Sequence, residues 1–591
     1  MPPDTAITFE DFVGAEVCGE CHARQYDAWR RSTHGRAGGP PSEERVLVPF
    51  DGVPLRFKDA VVTPTRSEKG DYIFRVEQRG RPVEVYRVVR VVGGGHMVGG
   101  GTQAFFAEFP DGTLRFLPFD FSRHTGVWLC QTNGRTDKGW VPITPEIALA
   151  ECADWPPARV LGSHERFRNC EQCHGSQIVL DFDADAKRYR TRFTTLRVNC
   201  ESCHGPGRRH VELARAGAIA QSADIGMVPL ATLDKDASLE VCFRCHAVKD
   251  EIEPGYLPGR PLERYFGLKL PFLSTRPLFP DGRIRVFAYQ QQHLYSDCYL
   301  NGSMTCVDCH DPHSQQYRDI WGRPLVGRLN DGQCLDCHPS KAEPVERHTH
   351  HAEASPGSRC VACHMPYLQE PAVGERIRYS RSDHTIPIPR PRLDAIFGVQ
   401  SACQKCHSDR SLKALQEQMT EWYGELKPVK RLIEGLIRSR GVSDPRTAAR
   451  MMLAPGPAYA ALQFTGLAYF FLSYLQPDMR RLDGEVVERL KQLSESEDLD
   501  LQALALASLH FARGGDPAVR AFLKERLGAL DRRDELVRRR WVWILNFRGD
   551  IYTGRGQYQP ALSAYLKARE LLPDDPGVLR NVGVAYINLG A

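Results

Sequence analysis

Eight copies of one five-residue pattern, C-x-x-C-H, constrain this chain more than any other feature. In chain order they are Cys18/Cys21/His22 (site 1), Cys170/Cys173/His174 (site 2), Cys200/Cys203/His204 (site 3) and Cys242/Cys245/His246 (site 4). Sites 5 to 8 are Cys306/Cys309/His310, Cys334/Cys337/His338, Cys360/Cys363/His364 and Cys403/Cys406/His407. Sixteen of the 19 cysteines are consumed in this way. Two residues three apart on a helical turn share a face. Both thiols of a pair can therefore reach the two vinyl groups of one haem, while the next residue aims its imidazole at the iron. A zinc ribbon needs two C-x-x-C pairs per metal and places no histidine after each second cysteine. A thioredoxin-like pair occurs once, near a βαβ pattern. The pattern predicts eight covalently attached haem c groups.

Length and charge are read with those cofactors in mind. A chain of 591 residues is long enough for several domains. Its 50 glycines and 41 prolines suit long irregular stretches in which cofactors replace side chains as core. Each haem adds two propionates against a core worth about +1 ferric and 0 ferrous. Eight would move the formal charge from +4 to about −4 oxidised and −12 reduced, a solubility-type charge that gives no reason to expect nucleic acid. No apolar run reaches 18 residues, so no transmembrane helix is expected. The opening "MPPDTAITFEDFVGAE" lacks the basic and apolar regions of a secretory signal. Covalent haem c attachment takes place outside the cytoplasmic membrane, so a periplasmic or extracellular protein is expected, its start mature or truncated.

The fold class expected is mixed, mostly α and irregular, in four stretches. Residues 1–45 carry site 1. Residues 46–160 form a β-rich insert, because "VPLRFKDAVVT", "DYIFRVEQ" and "RPVEVYRVVRVV" alternate apolar and polar residues. Within it, Pro110-Asp111-Gly112 marks a hairpin turn. The insert reads as a structural cover over the haem array, or as a docking or substrate-gating surface. Residues 161–410 are a haem-packed domain holding sites 2 to 8 on short helices joined by loops. Residues 411–591 read as an α-helical repeat domain, from the 3–4 spacing of "LKALQEQMTEWYGELKPVKRLIEGLIRSR" and "GEVVERLKQLSESEDLDLQALALASLHFA". Gly549, Tyr552, Ala561, Tyr565, Ala568 and Pro573 sit at tetratricopeptide positions, and Gly583 and Tyr586 recur 34 residues after the first two. Such an array needs a polar closing helix. Further repeats or a partner chain, including self-association, are therefore expected on its last face.

Beyond the eight proximal histidines, twelve remain as candidates for the sixth iron position. His34, His210, His313 and His384 lead, followed by His164, His293 and one of "HTHH", with His350 or His351 preferred. His210 and His313 lie too near their own attachment helices to reach the far face of that haem, so each is expected to ligate a neighbour. His96 and His124, in the insert, compete for the eighth place, and His510 reads as a surface residue. If one haem is open, site 1 is the candidate, because the insert separates it from the others.

The phrases "CGECH…WRRSTHG", "NCESCHGPGRRH", "GSMTCVDCHDPH" and "CVACHMP" resemble a multihaem cytochrome c superfamily. It includes hydroxylamine oxidoreductase, octahaem tetrathionate reductase and the tetrahaem cytochromes of ammonia oxidisers. The chain is also similar to bacterial multihaem proteins with C-terminal tetratricopeptide repeats, which have a counterpart of "GGGHMVGGGTQAFFAEFPDGTLRFLPF". The departures weigh against the catalytic relatives. No motif ends in lysine, no tyrosine near Tyr423 or Tyr459 matches the cross-linked tyrosine of hydroxylamine oxidoreductase, and no lysine ligand maps.

The function expected is therefore electron transfer between redox partner proteins along mostly bis-histidine haems. Two alternatives stand: an oxidoreductase acting on a small nitrogen or sulfur oxyanion at one open haem, and a subunit of a haem-wired filament. Of the cysteines outside the motifs, Cys130 and Cys152 can form a disulfide, and Cys298 is left over.

Overall fold

The computed structural model describes residues 7–94, 99–132, 140–162, 173–221, 224–253, 256–258, 260–274, 276–285, 290–327, 330–342, 344–369, 377–453 and 460–590. His96, His164 and Cys170 lie outside them. The chain divides into two compact units. The first comprises residues 1–246, 257–259 and 304–383, and the second 247–256, 260–303 and 384–591.

The first unit contains a curled antiparallel sheet. Its strands are β1 (Gly38–Gly39), β2 (Leu55–Arg56), β3 (Ala60–Arg66), β4 (Tyr72–Gln78), β5 (Glu84–Gly93), β6 (Gln103–Glu108), β7 (Leu114–Ser122), β8 (Val127–Gln131) and β9 (Trp140–Pro142). They pair in sequence order from β2 to β9, with β1 added to β5. The period of two that marks β3 and β4 in the sequence sends Val62, Phe74 and Val76 inward. There Phe74 packs edge-on against Phe50 and Trp128 at ring separations of 5.0 and 5.7 Å. The Pro-Asp-Gly turn joins β6 to β7: Gly112 takes φ +82° and donates to the Phe109 carbonyl at 2.8 Å. A disulfide ties Cys130 in β8 to Cys152, both fully buried, with Cα atoms 5.6 Å apart.

The second unit is mostly helical. Helices start at aspartate or serine caps: Ser411, Asp444, Asp483, Asp498, Asp516 and Asp575 each accept a backbone N–H through the side chain. The long periodic stretches of the sequence are broken into shorter helices. Leu412–Tyr423 ends at Gly424, with φ +66°, before Arg431–Arg438 begins. Helix Leu499–Arg513 is buried around almost its whole circumference, so His510 is core, 5% exposed and edge-on to Trp541. That corrects its reading as a surface residue: its helix has no solvent face there. Gly549 is required by close packing, since a Cβ there would come within 2.2 Å of the Tyr565 ring.

Residue 411 is not a boundary between these units. The helical unit takes in 260–303 and site 8 because buried polar contacts anchor them. Arg540 and Asp500, 1% and 5% exposed, pair at 2.6 Å, and Arg540 also donates to the Phe266 carbonyl at 3.0 Å. Lys269 pairs with Asp498 at 2.6 Å, and the Tyr295 hydroxyl meets Thr465 Oγ1 at 2.9 Å. Among the described residues, no helix is long and apolar enough to cross a membrane.

Candidate haem-binding centre

Each attachment motif that lies wholly within the described residues, all but site 2, folds into one helical turn. The N–H of the motif histidine donates to the carbonyl of the first cysteine at 2.9 Å for His22, His310, His338 and His407, and at 3.0 Å for His204. The i→i+4 bond brings both thiols to one side of the turn. Cysteine is among the residue types most often fully buried, yet every described motif cysteine here is half-buried or exposed. That exposure fits thiols that face a large group.

The two cysteines of a motif are equivalent in the sequence pattern but not in the structure. In sites 1, 6 and 8 the first cysteine is half-buried, whereas the second, Cys21, Cys337 and Cys406, is exposed. In site 7, Cys363 is half-buried, as is its partner Cys360. At sites 1, 6 and 8 the turns Ala15–Gly19, Gly332–Leu335 and Cys403–Lys405 end before the second cysteine.

The imidazoles decide what the large group is. His22 and His210 have ring centroids 6.2 Å apart with 24° between planes. His204 and His313 are 6.3 Å apart at 9°, His34 and His246 6.0 Å apart at 46°, and His348 and His364 6.3 Å apart at 2°. Two imidazoles on opposite sides of one metal ion have this separation. A metal–nitrogen bond of about 2 Å plus about 1.1 Å from nitrogen to ring centre is about 3.1 Å per side. The same spacing is too wide for direct ring stacking. These residues therefore fit an iron held by two histidines.

Protonation agrees with that chemistry, since a histidine ligand must be neutral. Burial, with His246 and His174 beside it, pushes His34 down to about 4. Burial, then the Arg90 guanidinium, does the same to His174, and burial with His246 and Arg318 to His310. Burial and His313 lower His204. His210 Nδ1 lies 2.7 Å from the Ile225 carbonyl, which can only accept, so that nitrogen carries the proton and Nε2 keeps its lone pair. Gln315 holds His34 from two directions, its Oε1 accepting the His34 N–H at 3.2 Å and its amide nitrogen lying 3.0 Å from Nδ1.

The chain brings together histidines far apart in sequence. His210 faces site 1 and not its own site 3, and His313 faces site 3 and not its own site 5. Site 1, the expected place for an open haem, has His210 across from its proximal ligand. In "HTHH", the imidazole opposite His364 is His348, whereas His350 or His351 was expected. His350 is exposed and left-handed (φ +55°), ending the short helix Val345–Thr349. His351 turns its Nδ1 to the Thr349 carbonyl at 2.6 Å and lies against Gly357. The one available signal for His348 was its place inside the helix that the other two terminate. His293, 6% exposed with Nδ1 3.0 Å from Ser296 Oγ, and half-buried His384 belong to the helical unit, as does His407. His124 is exposed at the β7–β8 turn.

Known proteins point the same way. The family model "Cytochrome c554 and c-prime" matches residues 17–44, which hold site 1 and His34. The dissimilatory sulfite reductase MccA of Wolinella succinogenes is 23% identical over 398 residues, 60% of this chain and 51% of that protein. The chain is similar to multihaem cytochromes c, and its eight motifs fit covalently bound haem c. It spans about half the length of that curated relative. The crystal structure of the outer cell wall cytochrome OcwA overlaps it with a TM-score of 0.44 at 14% identity, over 87% of this chain and 99% of the other.

Proposed function

We propose that this cytochrome is an exported octahaem protein that passes electrons between redox partners along bis-histidine haems, its helical unit serving protein assembly. The observation that carries the reading is the set of four imidazole pairs spaced 6.0–6.3 Å apart. The cysteines of each motif would tether a haem, and the motif histidine with its facing partner would ligate its iron. Each haem supplies a one-electron iron couple whose potential responds to axial ligands, burial and neighbouring charge. The protein's own contribution is rigid positioning: Ile225 and Gln315 orient two of the distal rings, and no acid–base residue is needed. The test is a pyridine haemochrome assay with an electron paramagnetic resonance spectrum of the oxidised protein. Eight haems per chain with mainly low-spin signals are expected; six or fewer haems would overturn it.

A second reading, reduction of a small sulfur oxyanion, is favoured by the likeness to the sulfite reductase together with Arg90. This arginine is 1% exposed and donates to the His174 carbonyl and to the Leu196 carbonyl, the latter at 3.3 Å. It places a buried cation beside site 2, suited to an anionic substrate. Sulfite should then reoxidise the reduced protein and perturb one haem spectrum, and Arg90→Met should abolish both. Absence of any response to sulfite would leave electron transfer alone.

A further inference from the structure

The attachment segments of sites 1 to 7 touch one another in an order that chain order does not suggest. Glu201, inside motif 3, accepts the N–H groups of Val13 and Gly14, just before motif 1, at 2.9 Å each. The Cys200 and Cys18 sulfurs are neighbours between the same two sites. Arg244, inside motif 4, donates to the Ser202 carbonyl inside motif 3 at 2.7 Å. From motif 2, Cys173 Sγ lies 3.8 Å from the Cys245 carbonyl oxygen of motif 4. Helix Lys235–His246, which ends in motif 4, packs against the turn Cys306–Asp308 of motif 5, with Cys242 beside Cys306. Gln333, beside motif 6, donates to the Cys309 carbonyl of motif 5 at 3.4 Å. Finally, the Cys360 N–H of motif 7 donates to Asp331 at 2.9 Å, and its thiol contacts Cys334 of motif 6.

We propose that these contacts hold the haem sites of this unit in the order 1–3–4–5–6–7, with site 2 as a spur at site 4. Site 4 is then the junction through which both ends and the spur exchange electrons. The inference rests on the electron-transfer reading above. A thioether sulfur is separated from its porphyrin ring by a single carbon, so sulfurs in contact bring two ring edges together. The Glu201 clamp, the packing of helix Lys235–His246 on Cys306–Asp308 and the Cys360–Asp331 bond, each with two motif sulfurs alongside, thus define three close pairs, sites 1 and 3, 4 and 5, 6 and 7. Arg244 and Gln333 join those pairs into one line.

The test tags single sites in the full-length holoprotein. His34→Met, His210→Met and His348→Met each exchange one distal imidazole for a thioether at sites 4, 1 and 7, which raises the potential of that haem. Each tagged haem then reduces first, to a diamagnetic state, and its nearest neighbours lose their magnetic coupling to it. Potentiometric titration followed by electron paramagnetic resonance should change the ferric signals of sites 2, 3 and 5 in His34→Met. It should change one neighbour only in His210→Met and in His348→Met. A tagged site 4 that perturbs one neighbour or none overturns the order. If no variant acquires a single high-potential haem while all haems remain bound, the axial pairs themselves fail, and the order fails with them.

Discussion

Replacing His348 by alanine tests the axial geometry most directly. The His348 and His364 rings face each other at 6.3 Å with planes 2° apart, which leaves about 3.1 Å from either ring centre to a shared iron. Removing the imidazole takes one of two nitrogen donors from one haem and leaves a half-buried gap that water fills. Alanine is the best helix former, and the position lies inside the short helix Val345–Thr349, so the fold should persist. With eight attachment motifs, one haem in eight should change spin, and the integrated high-spin ferric signal should rise by about one-eighth of total iron. Carbon monoxide should bind that haem in the reduced protein, and added imidazole should return it to low spin. A His348→Ala protein that keeps all its haems and shows no added high-spin signal would refute the reasoning.

Three further outcomes follow from the packing. Cys130→Ser with Cys152→Ser opens a closed loop with a sequence separation of 22, and loop-closure entropy puts the loss at about 3.4 kcal/mol. The sheet should unfold roughly 10 °C lower; an unchanged midpoint would show that the disulfide contributes nothing. Asp120, buried in β7, is pushed up to about 7 by burial and then by Asp154, against the opposing pull of Arg159 and Thr102. The folded state therefore keeps a proton that the unfolded chain releases near pH 4, and stability falls as pH rises from about 4 to about 7. Asp120→Asn should remove that slope and stabilise the sheet at pH 8 by about 2–4 kcal/mol; parallel urea profiles of the two proteins at pH 5 and 8 would refute it. Arg540→Met should cost the helical unit about 3–5 kcal/mol by leaving Asp500 buried without its guanidinium partner. Adding Asp500→Leu should recover most of that loss in thermal melts, and a double variant as unstable as the single one would refute the ion-pair account.

What could be read from the sequence was local or covalent. The haem motif is a single turn whose chemistry is complete within five residues. The Pro-Asp-Gly hairpin needs only the conformational freedom of Gly112, and the period-two strands carry their own inward face. The pairing of the distal histidines was not legible, because it is made across long gaps. His22 and His210 meet only when Glu201 clamps the chain before motif 1 onto motif 3. In "HTHH" three imidazoles are chemically equivalent, and the choice falls to backbone direction: His348 stays on its helix, while the left-handed His350 turns the chain away. His510 looked exposed because its helix was read alone. It is buried because helices pack around every side of Leu499–Arg513. The extent of the helical unit was settled in the same way, by Asp500 and Arg540 reaching segment 260–303 across more than 200 residues of chain. Sequence by itself determined which atoms can bind haem, since covalent attachment depends on residue identity and spacing. Only the tertiary structure decided which imidazoles face each other and which sites adjoin, because those depend on contacts between segments that share no local pattern.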